Sequence, residues 1–513
     1  MTGLTVRQQV FCSALLGILI GGIILVALSL PTKWAAAILA ASAGALILIS
    51  FAGQIEKVAF ACFVFFLPIE LGKSFFYMPY AGGGHELRIS ISQIFFLVLL
   101  PFWVARIIRH GWRGRINSWL LVSGIVFLLT SILSLSKATN VSLGIFELIR
   151  AGFAFLVFLV VVSYVDNKLT LKQTIVILLL GCLPQLGIGI YQWLFERDIG
   201  LRLFGEMGLV PEAWGESSIV RVGGLLGHPN AFATYLVMTL PLSIVLWTKE
   251  HNILTRLVAF FLFMIGVAVL LATGSRGGWV GFGLATLAAF SALMFYGKRV
   301  HLKRWRVVSL MILCLLCITV AGYPVIEKRF LVDDRGSAAS RIPMMFDAGN
   351  VIFDNPLLGV GINNYSLSVG KYDVTGIHQA WEAAPVHNLF LLIGAESGVI
   401  AMLSFIVWWI VIARHVGNLI RSGEREEFLL GVALMMSLVG FFVIHQVDPN
   451  YRFYPSIQRE LWLIGGMAVA AAKLNQGASV AGTPLPRKMN AALRNRPGSR
   501  ENIESDIATH HAS

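Results

Sequence analysis

Apolar runs close to 20 residues long recur along nearly the whole chain, separated by short polar intervals. A helix needs about 20 residues to cross a hydrocarbon core of roughly 30 Å. Fourteen runs are predicted as spans: 11–30, 34–52, 57–71, 89–108, 118–136, 146–165, 172–195, 230–248, 254–272, 278–296, 306–325, 387–413, 427–446 and 457–472. The third is short and interrupted by Pro68, so the expected total is 12–14. The run 11–30 has the apolar stretch of a signal peptide, but a second run follows at once and no small-residue cleavage site stands out, which predicts a retained span. One interval breaks the rhythm: 326–386 is polar and lies between two apolar runs. The pattern predicts an all-α polytopic membrane protein with one long loop.

Charge gives the pattern an orientation. Only 13% of the 513 residues are charged, against about 25% in soluble proteins. A net charge of +13 raises nucleic acid as a partner. Basic residues, however, gather in cytoplasmic loops of membrane proteins, and these do. With the amino terminus inside, alternating spans put four basic clusters on one side: 106–115, 298–306, 414–425 and the tail from Arg487 to Arg500. Both termini are therefore expected in the cytoplasm, the bilayer is the partner, and nucleic acid is not. The loops 72–88, 137–145, 196–229, 273–277, 326–386 and 447–456 then face outward.

This divides the chain into amino-terminal helices (1–200, no motif), a core (201–450) that includes the loop 326–386, a last span (451–472) and a basic tail (473–513) predicted to be disordered. No internal repeat is visible. Cys12, Cys62, Cys182, Cys314 and Cys317 all sit in apolar runs, so the C-x-x-C at 314–317 lacks the setting of a redox or zinc site.

Outward-facing basic residues carry the candidate chemistry. Arg276 stands in Thr273-Gly-Ser-Arg-Gly-Gly-Trp279, a loop of a few residues that opens a span. Gly277 and Gly278 let backbone N–H groups approach an anion, and the helix dipole adds partial positive charge. Arg221 stands in the glycine-rich Arg221-Val-Gly-Gly-Leu-Leu-Gly-His-Pro-Asn230. There His228 reads as a loop residue. Arg341 opens a stretch with Met345, Ala348 and Ile352 at helical spacing, an amphipathic helix over the membrane or a cavity. His387 is expected at the start of the twelfth span, where nearby arginines would favour the neutral form a general base requires. Glu396, nine residues on, faces away from His387 and is expected to pair with a neighbouring helix. Glu147 and Arg150, three apart, are expected to pair with each other. No acidic cluster looks like a metal site. Several arginines and one histidine can hold a diphosphate without metal and accept a proton from an attacking hydroxyl.

Four ordered stretches carry a family resemblance: Arg221–Asn230, Thr273–Gly278, Ser340-Arg341 with Asn355-Pro-Leu-Leu-Gly-Val-Gly361, and Val386-His-Asn-Leu-Phe-Leu-Leu-Ile-Gly-Ala-Glu-Ser-Gly398. In these, and in the long loop between the third and fourth, the chain resembles the bacterial O-antigen ligases and the O-antigen and exopolysaccharide polymerases. The resemblance covers about 220–450. It implies a GT-C-like membrane glycosyltransferase of the inner membrane with a long periplasmic loop, inverting and metal-independent, with no cofactor. It implies that Arg276 and Arg341 hold the diphosphate of an undecaprenyl-diphosphate-linked glycan, with Arg221 near the donor. His387 would be the base on the acceptor hydroxyl, with Gly277, Gly278, Asn388 and Glu396 in support. The acceptor would be a polysaccharide or lipid A core. A flippase and a chain-length regulator are the partners implied for a polymerase, the reading that extra spans and a long tail favour. Transport of a small anion such as bicarbonate is the competing class. It would require polar sites near the midplane and paired broken helices.

Overall fold

The computed structural model describes residues 52–80, 82–111, 116–207, 220–249, 252–297, 323, 327, 339–374, 376–377 and 384–481. The expected spans 11–30 and 34–52 (but for Ala52), 306–325 (but for Tyr323), and the basic residues 113–115 and 298–306 lie outside these, as do Cys12, Cys314 and Cys317.

The described chain is almost wholly helical. Its elements are α1 (Ala52–Phe65), β1 (Gly72–Phe75), β2 (Leu87–Ser90), α2 (Ile91–His110), α3 (Ser118–Ser134), α4 (Val141–Tyr164), α5 (Lys168–Phe195), α6 (Pro229–Thr239) and α7 (Ser243–Lys249). Then follow α8 (Ile253–Ala272), α9 (Arg276–Tyr296), α10 (Arg341–Asp354), α11 (Tyr365–Ser368), α12 (Leu389–Arg421), α13 (Arg425–Ile444), α14 (Asn450–Phe453) and α15 (Pro455–Ala481). Among the described residues nine helices are long and apolar enough to cross a membrane, α6 and α7 counting as one through a short 3-10 turn. The protein is an all-α multi-pass membrane protein.

Asparagine sets many of the boundaries. Asn117, Asn140, Asn167, Asn252 and Asn388 each accept backbone N–H bonds at the start of a helix, satisfying donors that have no intrahelical partner. Three elements differ from the sequence expectation. Helix α1 ends at Phe65, before Pro68, and starts earlier than the expected 57. The loop 72–88 contains an antiparallel hairpin, Gly72 opposite Ser90 and Phe75 opposite Leu87. Helix α15 continues to Ala481, past the expected end at 472, because the residues from Lys473 to Ala481 include one glycine and no proline.

The bundle interior is aromatic. Trp408 of α12 meets Phe158 of α4 at 4.8 Å and Trp462 of α15 at 5.1 Å between ring centroids. Packing of this kind, with close van der Waals contact, holds membrane helices together where lipid removes the hydrophobic drive.

Helix α12 is broken. Its 33 residues would make an unbroken rod of roughly 50 Å, well over the hydrocarbon thickness. Gly398 interrupts it with φ 86° and ψ 168°, a conformation that glycine alone adopts without strain. The break frees backbone groups that must be satisfied inside the protein, and the segment 356–361 satisfies them. Val360 N–H donates to Ala395 O at 2.9 Å, Gly361 N–H to Glu396 O at 3.0 Å, and Val399 N–H to Pro356 O at 2.8 Å. The part of α12 after the break is long enough to span by itself, so the part before it is free to carry a site. Helix α10 lies over that first part, burying Met344, Asp347, Ala348 and Val351; of the expected face, Ala348 is buried while Met345 and Ile352 are half-buried against the same core. Met344, Ala348 and Val351 join Val360, Tyr365, Leu392 and Ala395 in a small core of their own.

Candidate functional site

Of the sequence-predicted site residues, Arg221, Arg276, Arg341 and His387 lie at one end of the bundle, and Glu396 lies apart from them. The turn between α8 and α9 is Thr273-Gly274-Ser275. Gly274 takes φ +61°, Thr273 Oγ1 accepts from Ser275 N–H at 3.2 Å, and Ser275 Oγ caps α9 by accepting from Gly278 N–H at 3.2 Å. Arg276 is thus the first residue of α9, at the positive end of its dipole. Gly278 allows this start to press on α6: a Cβ there would lie 2.7 Å from Ala233 Cβ. Gly277 faces Val447, so Arg276 stands beside the loop that follows α13.

Arg221 is clamped next to it. Its Nε donates to Thr273 O at 3.0 Å and its Nη2 to Asn230 Oδ1 at 2.6 Å. Asn230 Nδ2 in turn donates to the Asp448 carboxylate. Asp448, Asn230, Arg221 and the end of α8 therefore form one hydrogen-bonded chain. The glycines before Asn230 allow close backbone approach: Gln192 Oε1 accepts from Gly223 and Gly224 N–H, and Gln185 Oε1 from Leu225 N–H. His228 caps α6 by accepting from Asn230 N–H at its Nδ1, 3.1 Å. Burial pushes the His228 pKa down to about 4, with Arg221 and His387 lowering it further and Asp448 opposing.

His387 is not the first residue of α12 but sits two residues before it. Asn388 is the N-cap, accepting from Phe390 and Leu391 N–H at 3.0 Å each and donating to Gln446 Oε1 at 3.0 Å. Asn388 thus fixes the backbone on which His387 is carried. Burial holds the His387 imidazole below its ordinary pKa; Asp448 raises it and Arg341 lowers it. Those two couplings place Arg341, at the start of α10, and Asp448 in the field of the same ring. Nδ1 of His387 is buried and makes no hydrogen bond among the described residues. The result is an imidazole pushed towards its neutral form, with Arg341 and the Asp448 carboxylate as its charged neighbours.

Glu396 belongs to a different cluster. It is buried and ion-paired with Arg452 of α14, which satisfies the expectation of a partner on a neighbouring helix. Arg452 Nη1 also meets Glu147 Oε1 at 2.6 Å, and Arg150 meets Glu147 at 3.1 Å as its spacing predicts. Tyr365 N–H reaches Glu396 Oε1 at 3.5 Å. Glu396 therefore supports the helix break and the segment 341–374 that covers it as a lid, and does not touch His387.

Sequence reasoning missed Asp448, Asn230 and Arg452. Asp448 and Arg452 are polar residues in the short loop 447–456. The available signal was that a loop of this length carried two charges beside an apolar bundle.

The fold and site together define a polytopic membrane protein whose loops gather arginine and histidine at one bundle end around a broken helix. Residues 235–406 match the family model described as O-Antigen ligase. The matched stretch holds Arg276, Arg341, His387 and the Gly398 break; Arg221 and Asp448 flank it. No curated protein matches the chain.

Proposed function

We propose that the protein moves or polymerises glycan from an undecaprenyl-diphosphate-linked donor onto a hydroxyl acceptor at the periplasmic face of the bacterial inner membrane, with inversion and without metal. The observation that carries this reading is the convergence, inside and beside an O-antigen ligase domain, of Arg341 and Asp448 on His387 next to the Arg221–Arg276 turn. Neutral His387 takes the proton of the acceptor hydroxyl. The acceptor oxygen bonds to the anomeric carbon from the face opposite the leaving group. The bond from that carbon to the diphosphate oxygen breaks, and the electron pair leaves with undecaprenyl diphosphate. Arg221, Arg276 and Arg341 stabilise the growing negative charge. Arg221 is held by Asn230 and Thr273, so its reorganisation in the transition state is small.

Polymerisation remains the favoured form over ligation, on the chain's extra spans and tail. Anion transport loses support at the broken helix. Such breaks line ion paths in transporters, but this one is filled by lid backbone and the Arg452 pairs. The cavity beside it is about 20 Å³, room for about one water.

Purified protein given a lipid-linked glycan and its acceptor should form product in the presence of a chelator. His387→Ala should abolish transfer while inserting normally. Product from that variant at the native rate would remove the general-base role, and a strict Mg²⁺ requirement would remove the metal-free mechanism.

A further inference from the structure

The hairpin β1–β2 takes no part in the site described above. Its strands are only four residues each, and all of β1 is exposed. Phe76 and Tyr77, immediately after β1, are 73% and 66% exposed. Phe76 is also held at φ 54°, a left-handed conformation that is strained for a bulky residue and concentrates at functional positions. His85 meets Tyr77 edge-on with ring centroids 5.3 Å apart.

The hairpin is fixed to the site by its connecting segment. Asn363 of the lid donates to Gly84 O at 3.0 Å, and Asn140 reaches Met78. Gly83 presses on Phe453: a Cβ there would lie 2.8 Å from that ring. Phe453 adjoins Tyr454, whose ring lies 5.8 Å from that of His228. The aromatic pair is thus presented on an arm joined both to the lid over α12 and to the edge of the His387 site.

We propose that Phe76 and Tyr77 form a saccharide-docking platform that holds the glycan chain entering or leaving the site. This rests on the glycan-transfer reading above. Sugar rings present C–H faces that stack on exposed aromatic rings, and their hydroxyls need polar groups alongside. The same ribbon supplies those groups: Lys73 and Ser74 from β1, His85 and Glu86 beside Tyr77, and Arg88 from β2. Lys73 Nζ lies 5.5 Å from the Phe75 ring centroid, and Arg88 Nη1 lies 3.7 Å from Glu86 Oε1. A tip built to enter lipid would not carry this density of charge within a few residues of its aromatic rings, since charged groups in the hydrocarbon are costly.

The test is direct binding, independent of chemistry. The probe is a water-soluble oligosaccharide cut from the surface glycan of the source cell, titrated against purified full-length protein. The paired variant Phe76→Ala/Tyr77→Ala should weaken binding at least tenfold, and Phe76→Trp should retain it. The His387→Ala protein should bind like the native chain, so a failure of the catalytic reading and a failure of the platform are separable. In transfer assays the paired variant should raise the acceptor or donor KM at least tenfold with kcat within twofold. Both side chains are exposed, so folding should be unaffected. Native-like binding by the paired variant overturns the proposal. So does strong quenching of Phe76→Trp fluorescence by brominated lipid, which would make the arm a membrane anchor.

Discussion

A base is useful only while it is unprotonated, and for His387 two influences keep it so. Burial removes water from the imidazolium, and Arg341 repels it; Asp448 alone works the other way, and the net shift is downward. The neutral form therefore persists as pH falls through the ordinary histidine value of about 6.5, and activity should fail only below it. The acid limb of kcat/KM should have its midpoint under 6.5 and move lower still in Asp448→Asn, where the one opposing charge is gone. A midpoint that rises in that variant would mean another group controls the limb. Arg276 poses a different question, of shape. At the first position of α9 it can offer a planar fork where Lys offers a point charge, so Arg276→Lys should lose at least tenfold in kcat/KM with normal insertion. His387 and Arg276 were legible in the sequence because a polar residue at the edge of an apolar run is conspicuous. Asp448 and Asn230 were not, because their meaning lies in a hydrogen bond between residues 218 apart.

Among the elements, α12 departs furthest from what its sequence shows. The apolar run predicts a helix and a helix is there. Nothing in the run announces the break, since glycine is common in membrane helices and Gly398 sits among residues of ordinary helical character. The cause is tertiary. The lid segment 356–361 enters the break and exchanges backbone hydrogen bonds with both of its sides, a contact between stretches some forty residues apart. Hydropathy could locate the lid as a polar interval and give α10 its buried face, but not reveal that the lid's own backbone completes a membrane helix. Gly398→Ala measures this. Its Cβ would fall 2.0 Å from Leu357 O and its φ is one that alanine avoids. The expected result is loss of transfer with increased proteolysis within 339–374. Gly394→Ala, in the same half-helix but with only side-chain neighbours at 3.0 Å and beyond, should be far milder. Equal effects of Gly398→Ala and Gly394→Ala would remove the special role of the break.

At the scale of the whole molecule, α4, α12 and α14 are joined through one buried ion cluster. Arg452 pairs with Glu396 of α12 and with Glu147 of α4, and Arg150 pairs with Glu147 and donates to Arg452 O at 2.6 Å. Two arginines and two glutamates cancel in charge, and all four are buried. Such a cluster is weak evidence for net stability, because desolvation costs about as much as the pairing returns. What it imposes is registry: α4, α12 and the loop after α13 must arrive together, or a charge is left alone in a low dielectric. Removing Arg452 leaves Glu396 without a cation, while Glu147 keeps Arg150, and loss of one partner of a buried pair costs about 3–5 kcal/mol. Arg452→Ala should therefore lower the thermal unfolding midpoint in detergent sharply. Arg452→Met combined with Glu396→Gln should recover most of that loss, since Glu147 and Arg150 still pair and no bare charge remains. If the double variant unfolds as early as Arg452→Ala, the pairing itself stabilises the fold, and registry is not the cluster's main contribution. If it is stable but slow in transfer, the cluster serves to hold the half-helix before Gly398, and with it His387, at the working position.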